Sequence, residues 1–69
     1  MGDLVGTPLS PRQREVLSLL DQGAGAREIA RRLGLSEVTV RNHISGLLHR
    51  LGSHSQVEAL AAARRLRLL

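Results

Sequence analysis

Apolar residues recur at helical spacing in the first half of the chain, and each run begins and ends with a local signal. The segment Ser10-Pro11-Arg12-Gln13 is a capping box with proline at the first helical position, and it predicts the start of a helix. This helix is predicted to end at Gly23. A shorter second helix is predicted from about Ala26 to Leu33, with Gly34 as its C-terminal signal.

A third helix follows almost without a linker. Only Leu35 separates Gly34 from Ser36, which is a candidate N-cap for a helix from about Glu37 to Arg50. Two helices joined by so short a glycine-containing turn must cross steeply, and this predicts a helix-turn-helix arrangement.

The third helix has the most regular pattern of the four. Its predicted apolar stripe covers about 100° of arc and consists of Val40, Ile44, Leu47, Leu48 and Leu51. The predicted outward face carries Val38, Asn42, Ser45 and His49, with Gly46 beside them and Arg41 on the flank.

A second capping box, Ser55-Gln56-Val57-Glu58, predicts a fourth helix. This helix runs through Val57, Leu60 and Ala61 towards Arg64-Arg65. No segment has the alternating pattern of a strand, so the pattern predicts an all-α fold of four helices with three short connections.

Residues 10–69 are predicted to form one domain, and residues 1–9 a linker or N-terminal arm. The 69-residue chain contains no Phe, Tyr or Trp, so its core must be aliphatic and aromatic stacking on nucleic-acid bases is excluded. The absence of cysteine excludes disulfide frameworks and thiolate zinc sites. No apolar run is long enough to span a membrane, and a cytoplasmic protein is expected.

Positive charge is concentrated in residues 26–50 and 51–69, which carry formal net charges of +3 and +2. The formal net charge is +4, and every basic residue other than histidine is an arginine. Residues 26–50 carry five arginines against Glu28 and Glu37, whereas residues 1–25 carry more acidic than basic side chains. This clustering indicates an anionic polymer as the partner.

The outward face of the third helix has the chemistry for reading duplex DNA. The major groove, about 12 Å wide, admits one helix whose N-terminal half reaches base edges. Arg41 suits a bidentate contact to guanine and Asn42 a bidentate contact to adenine, while Ser45 suits either base type. Arg27 and Thr39 suit phosphate contacts. From spacing alone, these side chains are equally compatible with an ordinary solvated helix surface.

Catalytic and metal chemistry find no support in the sequence. His43, His49 and His54 lack companions at metal-ligand spacing, and no glycine-rich phosphate loop follows a strand. We therefore expect no enzyme activity, no cofactor and no metal site.

Three ordered segments resemble the LuxR-type helix-turn-helix family over about residues 9 to 63. They are Arg14-Glu15-Val16-Leu17-x-Leu19-Leu20-x-x-Gly23, Glu28-Ile29-Ala30-x-x-Leu33-x-Leu35-Ser36-x-x-Thr39-Val40-Arg41-x-His43, and Leu51-Gly52. Such domains are the DNA-binding output of response regulators, quorum-sensing receptors and small free-standing regulators. The family usually has Ser-Asn where this chain has Gly25-Ala26, so a usual helix cap is missing.

The resemblance implies roles for individual residues. The third helix would be the recognition helix, and the fourth would form a homodimer on a two-fold site in double-stranded DNA, with no small-molecule ligand in this domain. The implied DNA-binding residues are Arg27, Ser36, Thr39, Val40, Arg41, Asn42, His43, Ser45 and Arg50. The implied dimerisation residues are Val57, Leu60, Ala61 and Arg64.

Two other interpretations remain open at this point. One is a helical protein-protein interaction module that has lost DNA binding and uses the fourth helix as its contact face. The other is the promoter-reading domain of a sigma factor, which shares the Glu-Ile-Ala and Thr-Val-Arg pattern. The basic outer face favours DNA binding over the first, and His43, Leu51-Gly52 and the fourth helix argue against the second.

Overall fold

The computed structural model describes residues 9–69, which form four α-helices. These are α1 (Pro11–Asp21), α2 (Ala26–Leu33), α3 (Glu37–Arg50) and α4 (Gln56–Arg65). The predicted all-α, four-helix fold is confirmed, and the predicted bounds of the second and third helices agree with α2 and α3. None of the helices between residues 9 and 69 has the length and apolarity of a membrane span. Of the predicted arm, residues 1–8 lie outside the described residues.

Leu9 belongs to the domain rather than to the arm. Its side chain is buried in the core directly before the N-cap of α1. The predicted boundary after residue 9 therefore leaves a core residue outside the domain, because a single leucine before a capping signal does not reveal by periodicity whether it is buried.

The capping box of α1 is complete. The Gln13 backbone N–H donates to Ser10 Oγ at 3.0 Å, and the Ser10 backbone N–H donates to Gln13 Oε1 at 3.0 Å. Two of the otherwise unpaired amide groups at this helix end are thus satisfied by local side chains, as the sequence predicted.

The second predicted capping box is only half formed. Ser55 Oγ accepts a hydrogen bond from the Glu58 backbone N–H at 3.2 Å. The Glu58 carboxylate, however, accepts from the backbone N–H of His54 at 2.7 Å, one residue before the N-cap. Serine capping of α4 is therefore confirmed. The expected hydrogen bond from the Ser55 backbone N–H to the Glu58 side chain is wrong, because the extended backbone at Ser55 presents the His54 N–H to Glu58 instead.

The helix-turn-helix connection depends on one glycine. Gly34 ends α2 in the left-handed region at φ 70°, and its backbone N–H donates to the carbonyl of Ala30. Leu35 then donates to the same carbonyl at 2.9 Å, and Ser36 caps α3. Glycine adopts this conformation without the steric cost that a Cβ would bring, so the chain can reverse within two residues.

Helix α3 is the centre of the domain, since α1, α2 and α4 all pack against it. Its residues Val40 and Leu47 are completely removed from solvent, as are Leu17 of α1 and Ile29 of α2. Helix α4 contributes three buried alanines, Ala59, Ala62 and Ala63. Leu60 packs partly against the core beside these alanines, whereas Val57 points away from it.

Gly46 lies beside the outward face of α3, as predicted, on the side of the helix towards α1. A Cβ built at Gly46 would lie 2.9 Å from Gln13 Nε2, so this glycine faces α1. The spacing of α3 residues does not reveal this contact with Gln13, because the contact depends on how α1 packs against α3.

The missing cap of α2 gives a stability prediction. Gly25 is the N-cap, it makes no side-chain hydrogen bond, its φ is −88°, and a Cβ there would meet nothing within 4 Å. We expect Gly25→Ser to stabilise the domain by about 0.5–1 kcal/mol, through a new cap and a less flexible unfolded chain. Thermal melting by circular dichroism should show the midpoint rise by about 2–8 °C.

The matched control is Gly34→Ser, which makes the same chemical change at the other end of α2. The backbone there has φ 70°, so a side chain is strained. We expect this variant to melt below the wild type. A Gly25→Ser domain that melts at or below the wild-type temperature would contradict the assignment of residue 25 as an uncapped N-terminus.

Candidate nucleic-acid interface

The exposed face of α3 presents a group of chemically distinct side chains. Val38, Arg41, Asn42 and Ser45 are all exposed, as the helical periodicity predicted. Val38, Asn42 and Ser45 follow at intervals of four and three residues, so they lie along one line on the helix surface. This line starts in the first turn, where the backbone amides of a helix point outward and attract anions.

Arg41 is held near the start of α3 by an acidic neighbour. One guanidinium nitrogen, Nη2, lies 3.6 Å from Glu37 Oε2, one turn earlier, and both side chains are well exposed. An exposed pair at this spacing is worth only about 0.3–0.5 kcal/mol. The ion pair therefore orients Arg41 along the helix without preventing it from exchanging Glu37 for another acceptor.

Ser36 and Thr39 form the cap of α3. Ser36 Oγ accepts from the Thr39 backbone N–H at 3.1 Å and donates to Thr39 Oγ1 at 3.0 Å. The hydroxyl hydrogen of Ser36 is thereby engaged within the protein. That of Thr39 can still donate outward, because Thr39 Oγ1 is the acceptor of this bond.

Val40 does not belong to any surface. It was included among the DNA-binding residues implied by the family resemblance, and this is wrong for direct contact because its side chain is completely buried in the core. Its presence in the motif reflects packing of α3 against the other helices. The apolar stripe predicted from the sequence places Val40 in the core, and this prediction is confirmed.

The remaining predicted contact residues border this face to different degrees. His43 is half-buried, and Arg50 is exposed in the last turn of α3. Arg27 is exposed in the first turn of α2. The neighbouring Glu28 pairs with Arg32 instead, with Glu28 Oε2 3.8 Å from Arg32 Nη1. Within residues 9–69, no carboxylate forms an ion pair with Arg27. A cation beside the amides of a helix N-terminus is suited to an anionic ligand.

The exposed face of α4 carries the residues predicted for dimerisation. Val57 is 78% exposed, Ala61 is exposed and Leu60 is half-buried. Val57 and Ala61 lie opposite the buried alanines of the same helix, whereas Leu60 lies to one side and packs partly against the core. Arg64 forms an ion pair with Asp21 at the end of α1, which the sequence did not predict because the two residues are 43 positions apart.

The described residues offer little for other chemistry. No group of three or more histidine, cysteine or acidic side chains between residues 9 and 69 is arranged to hold a metal ion. A shallow groove of about 320 Å³ lies between α1 and α2 and is lined by Glu15, Ser18, Leu19, Arg32 and Leu33. The side chains predicted to contact DNA lie instead on α3, at its N-cap and at the start of α2.

Comparison with known proteins assigns this arrangement to a family. The family model described as "Bacterial regulatory proteins, luxR family" matches residues 7–63. The chain belongs to the luxR family. The match includes the helix-turn-helix of α2 and α3 and most of α4, so the resemblance seen in the sequence is confirmed. Its members regulate transcription, and the chain is a sequence-specific DNA-binding domain of this kind.

Individual luxR-family relatives agree with the assignment. The chain is 43% identical over 58 residues to the spore germination protein GerE of Bacillus subtilis (strain 168), covering 84% of this chain and 78% of GerE. It is 39% identical over 57 residues to the transcriptional regulatory protein DesR of the same organism, covering 83% of this chain but 29% of DesR. It thus corresponds to most of GerE and to less than a third of DesR.

Solved structures of the family share the fold. The transcription factor GerE superposes with a TM-score of 0.84 at 38% identity, covering 88% of this chain and 91% of GerE. The response regulator ChrA of a heme-sensing two-component system gives a TM-score of 0.87 at 38% identity, covering 91% of this chain and 31% of ChrA. The four-helix LuxR-type fold is therefore the fold of this chain.

Proposed function

We propose that this luxR-family domain binds duplex DNA by inserting α3 into the major groove. Arg41 reads guanine, Asn42 reads adenine and Ser45 contacts a base edge one turn later. The observation that carries the proposal is that all three side chains are exposed on α3 while its opposite side forms the core. The only ion pair that the described residues offer Arg41 is the exposed contact with Glu37.

Phosphate contacts then fix the helix in the groove. Arg27 and the first turn of α2 face one strand, and the Thr39 hydroxyl donates to a phosphate oxygen. His43 and Arg50 make further backbone contacts from α3. Ser36 acts mainly by capping α3, because its hydroxyl is already engaged with Thr39. The DNA-binding domain is thus the predicted unit of residues 10–69 with the buried Leu9 added to it.

We infer that two copies assemble on a two-fold DNA site through α4. The exposed Val57 and Ala61 supply an apolar surface that the domain itself leaves uncovered, and the half-buried Leu60 extends it on one side. Arg64 lies at the edge of this surface and pairs with Asp21 of its own chain. One short helix offers a small interface, so the dimer is weak in solution and forms on DNA.

The wider setting follows from the same proposal. Its target is chromosomal DNA, so the protein works in the bacterial cytoplasm as a transcription regulator, and no catalytic step or cofactor is needed. In proteins such as ChrA, the remaining two thirds of the chain lie outside the region matched here. Any sensing or phosphorylation-dependent control belongs to such additional sequence and not to this domain.

The test of the proposal is a salt titration of binding to two kinds of duplex. One is a random sequence and the other a site recovered from a random pool by repeated selection with the protein. We expect affinity for both to fall steeply with salt, since phosphate contacts release counterions, and we expect the selected palindrome to bind at least 1,000-fold more tightly than random duplex, as is typical of specific sites. Failure to bind any duplex at low salt would instead support a protein-protein interaction module.

Dimerisation gives a separate prediction. Val57→Glu introduces a charge on a side chain that is 78% exposed, so the fold should be retained. We expect the variant to bind a single half-site like the wild type but to lose the additional affinity for a palindrome, because two like charges would meet at the interface. Half-site and palindrome affinities measured by fluorescence anisotropy test this. Equal losses on both duplexes would contradict the α4 interface.

A further inference from the structure

Val38 is an unexplained apolar side chain on a polar surface. It is 66% exposed, and among residues 9–69 the other large hydrophobic side chains with comparable exposure lie on α4 or at the C-terminus. It is the second residue of α3, flanked by Glu37 and Thr39 and one turn before Asn42. An isopropyl group in this position adds nothing to the core and offers no hydrogen bond.

We propose that Val38 is a specificity residue that recognises thymine by contact with its 5-methyl group. This rests on the proposed function, since it requires α3 to lie in the major groove. Thymine is the base that presents an apolar group there, and side chains with methyl groups pack against it. The proposal adds a third type of base contact to the bidentate contacts assigned to Arg41 and Asn42.

The position of Val38 on the helix favours a base over a phosphate. Val38 shares one line with Asn42 and Ser45, and side chains of a helix tilt towards its N-terminus. Val38 therefore points beyond the first turn, towards the end of α3 that enters the groove most deeply. A phosphate oxygen would lose hydrogen bonds to water against valine, whereas a methyl group and an isopropyl group both gain by leaving water.

The experiment uses deoxyuridine, which differs from thymidine only by the missing methyl group. A binding site is first selected from random duplexes, and each thymine of one half-site is then replaced singly by deoxyuridine. We expect one replacement to weaken wild-type binding about fourfold, the equivalent of about 0.8 kcal/mol for one buried carbon group. With Val38→Ala the same replacement should change affinity less than about 1.5-fold.

Controls separate this effect from a general loss of binding. Val38→Thr keeps the shape and one methyl group, so it should retain part of the deoxyuridine effect. Ser18→Ala, an exposed change on α1, should retain all of it. Circular dichroism should give all variants the wild-type melting behaviour, because Val38 is largely exposed and alanine is the better helix former.

Three results would overturn the inference. A selected half-site without thymine, or a deoxyuridine effect that is the same for wild type and Val38→Ala, would refute the role of Val38 while leaving α3 as the recognition helix. Selection that returns no preferred sequence at all would refute the proposed function and, with it, the role of Val38.

Discussion

Arg41→Ala is expected to erase the preference for one base pair in each half-site and to leave preferences at other positions intact. A bidentate arginine–guanine contact discriminates by about 1–3 kcal/mol, which corresponds to roughly 5- to 150-fold. Arg41 is exposed and its pair with Glu37 is weak, so the fold should be unaffected. Affinities for the selected site and for its single-base variants, measured at one salt concentration, give the discrimination directly.

Two other arginines provide matched controls. Arg27→Ala should weaken binding to every duplex by a similar factor and reduce the slope of log affinity against log salt by about 1, as expected for a phosphate contact. Arg32→Ala removes the same charge from a side chain that pairs with Glu28 and lines the groove between α1 and α2. It should alter neither base preference nor, beyond a small change, the salt slope. Sequence-independent losses from both Arg41→Ala and Arg27→Ala would refute base reading by Arg41.

The helices of this domain were predictable because their ends depend on local chemistry. Ser10 and Gln13 satisfy each other's backbone amides within one turn, and Ser36 Oγ accepts from the backbone N–H of Thr39 at the start of α3. Gly34 adopts a positive φ within two residues of Ser36. Signals confined to three or four neighbouring residues can be read directly from sequence, and they fixed the helix-turn-helix correctly.

The contacts that sequence reasoning missed join distant parts of the chain. Gly46 faces Gln13 of α1, and Arg64 pairs with Asp21. Leu9 is buried although it precedes the first helix. None of these contacts follows from a helical period, because the period gives the direction of a side chain relative to its own helix and not the neighbour it meets.

The exposed site was predictable as a surface but not as a set of contacts. The period of α3 correctly gave Val38, Asn42 and Ser45 to one face. The family motif, in contrast, mixes residues that pack with residues that bind, and Val40 entered the list of DNA contacts for that reason. Which base each side chain meets depends on the position of α3 in the groove, which the sequence of the protein does not contain.

Leu47→Ala should have the largest effect on stability of the changes considered. Leu47 is completely buried at the centre of α3, the helix on which the other three pack. Alanine suits a helix at least as well as leucine, so the loss comes from the lost burial and the remaining cavity, about 3–5 kcal/mol. A domain of this length is stabilised by roughly 3–10 kcal/mol in total. The variant is therefore expected to lose about 30% or more of its stability, and to be at least half unfolded if the wild type lies at the low end of this range.

Urea denaturation followed by circular dichroism measures this loss. The control is Leu69→Ala, because that leucine is 44% exposed and its substitution should cost less than about 0.5 kcal/mol.

The Leu47→Ala variant also separates folding from recognition. Leu47 touches no proposed DNA contact surface, so excess operator should restore the folded state by mass action, by about 2.7 kcal/mol at 100 times the dissociation constant. The refolded complex should show the base preferences of the wild type. A Leu47→Ala domain whose free energy of unfolding equals that of the wild type, or that binds DNA with altered base preference, would contradict the view that α3 divides cleanly into a packing side and a reading side.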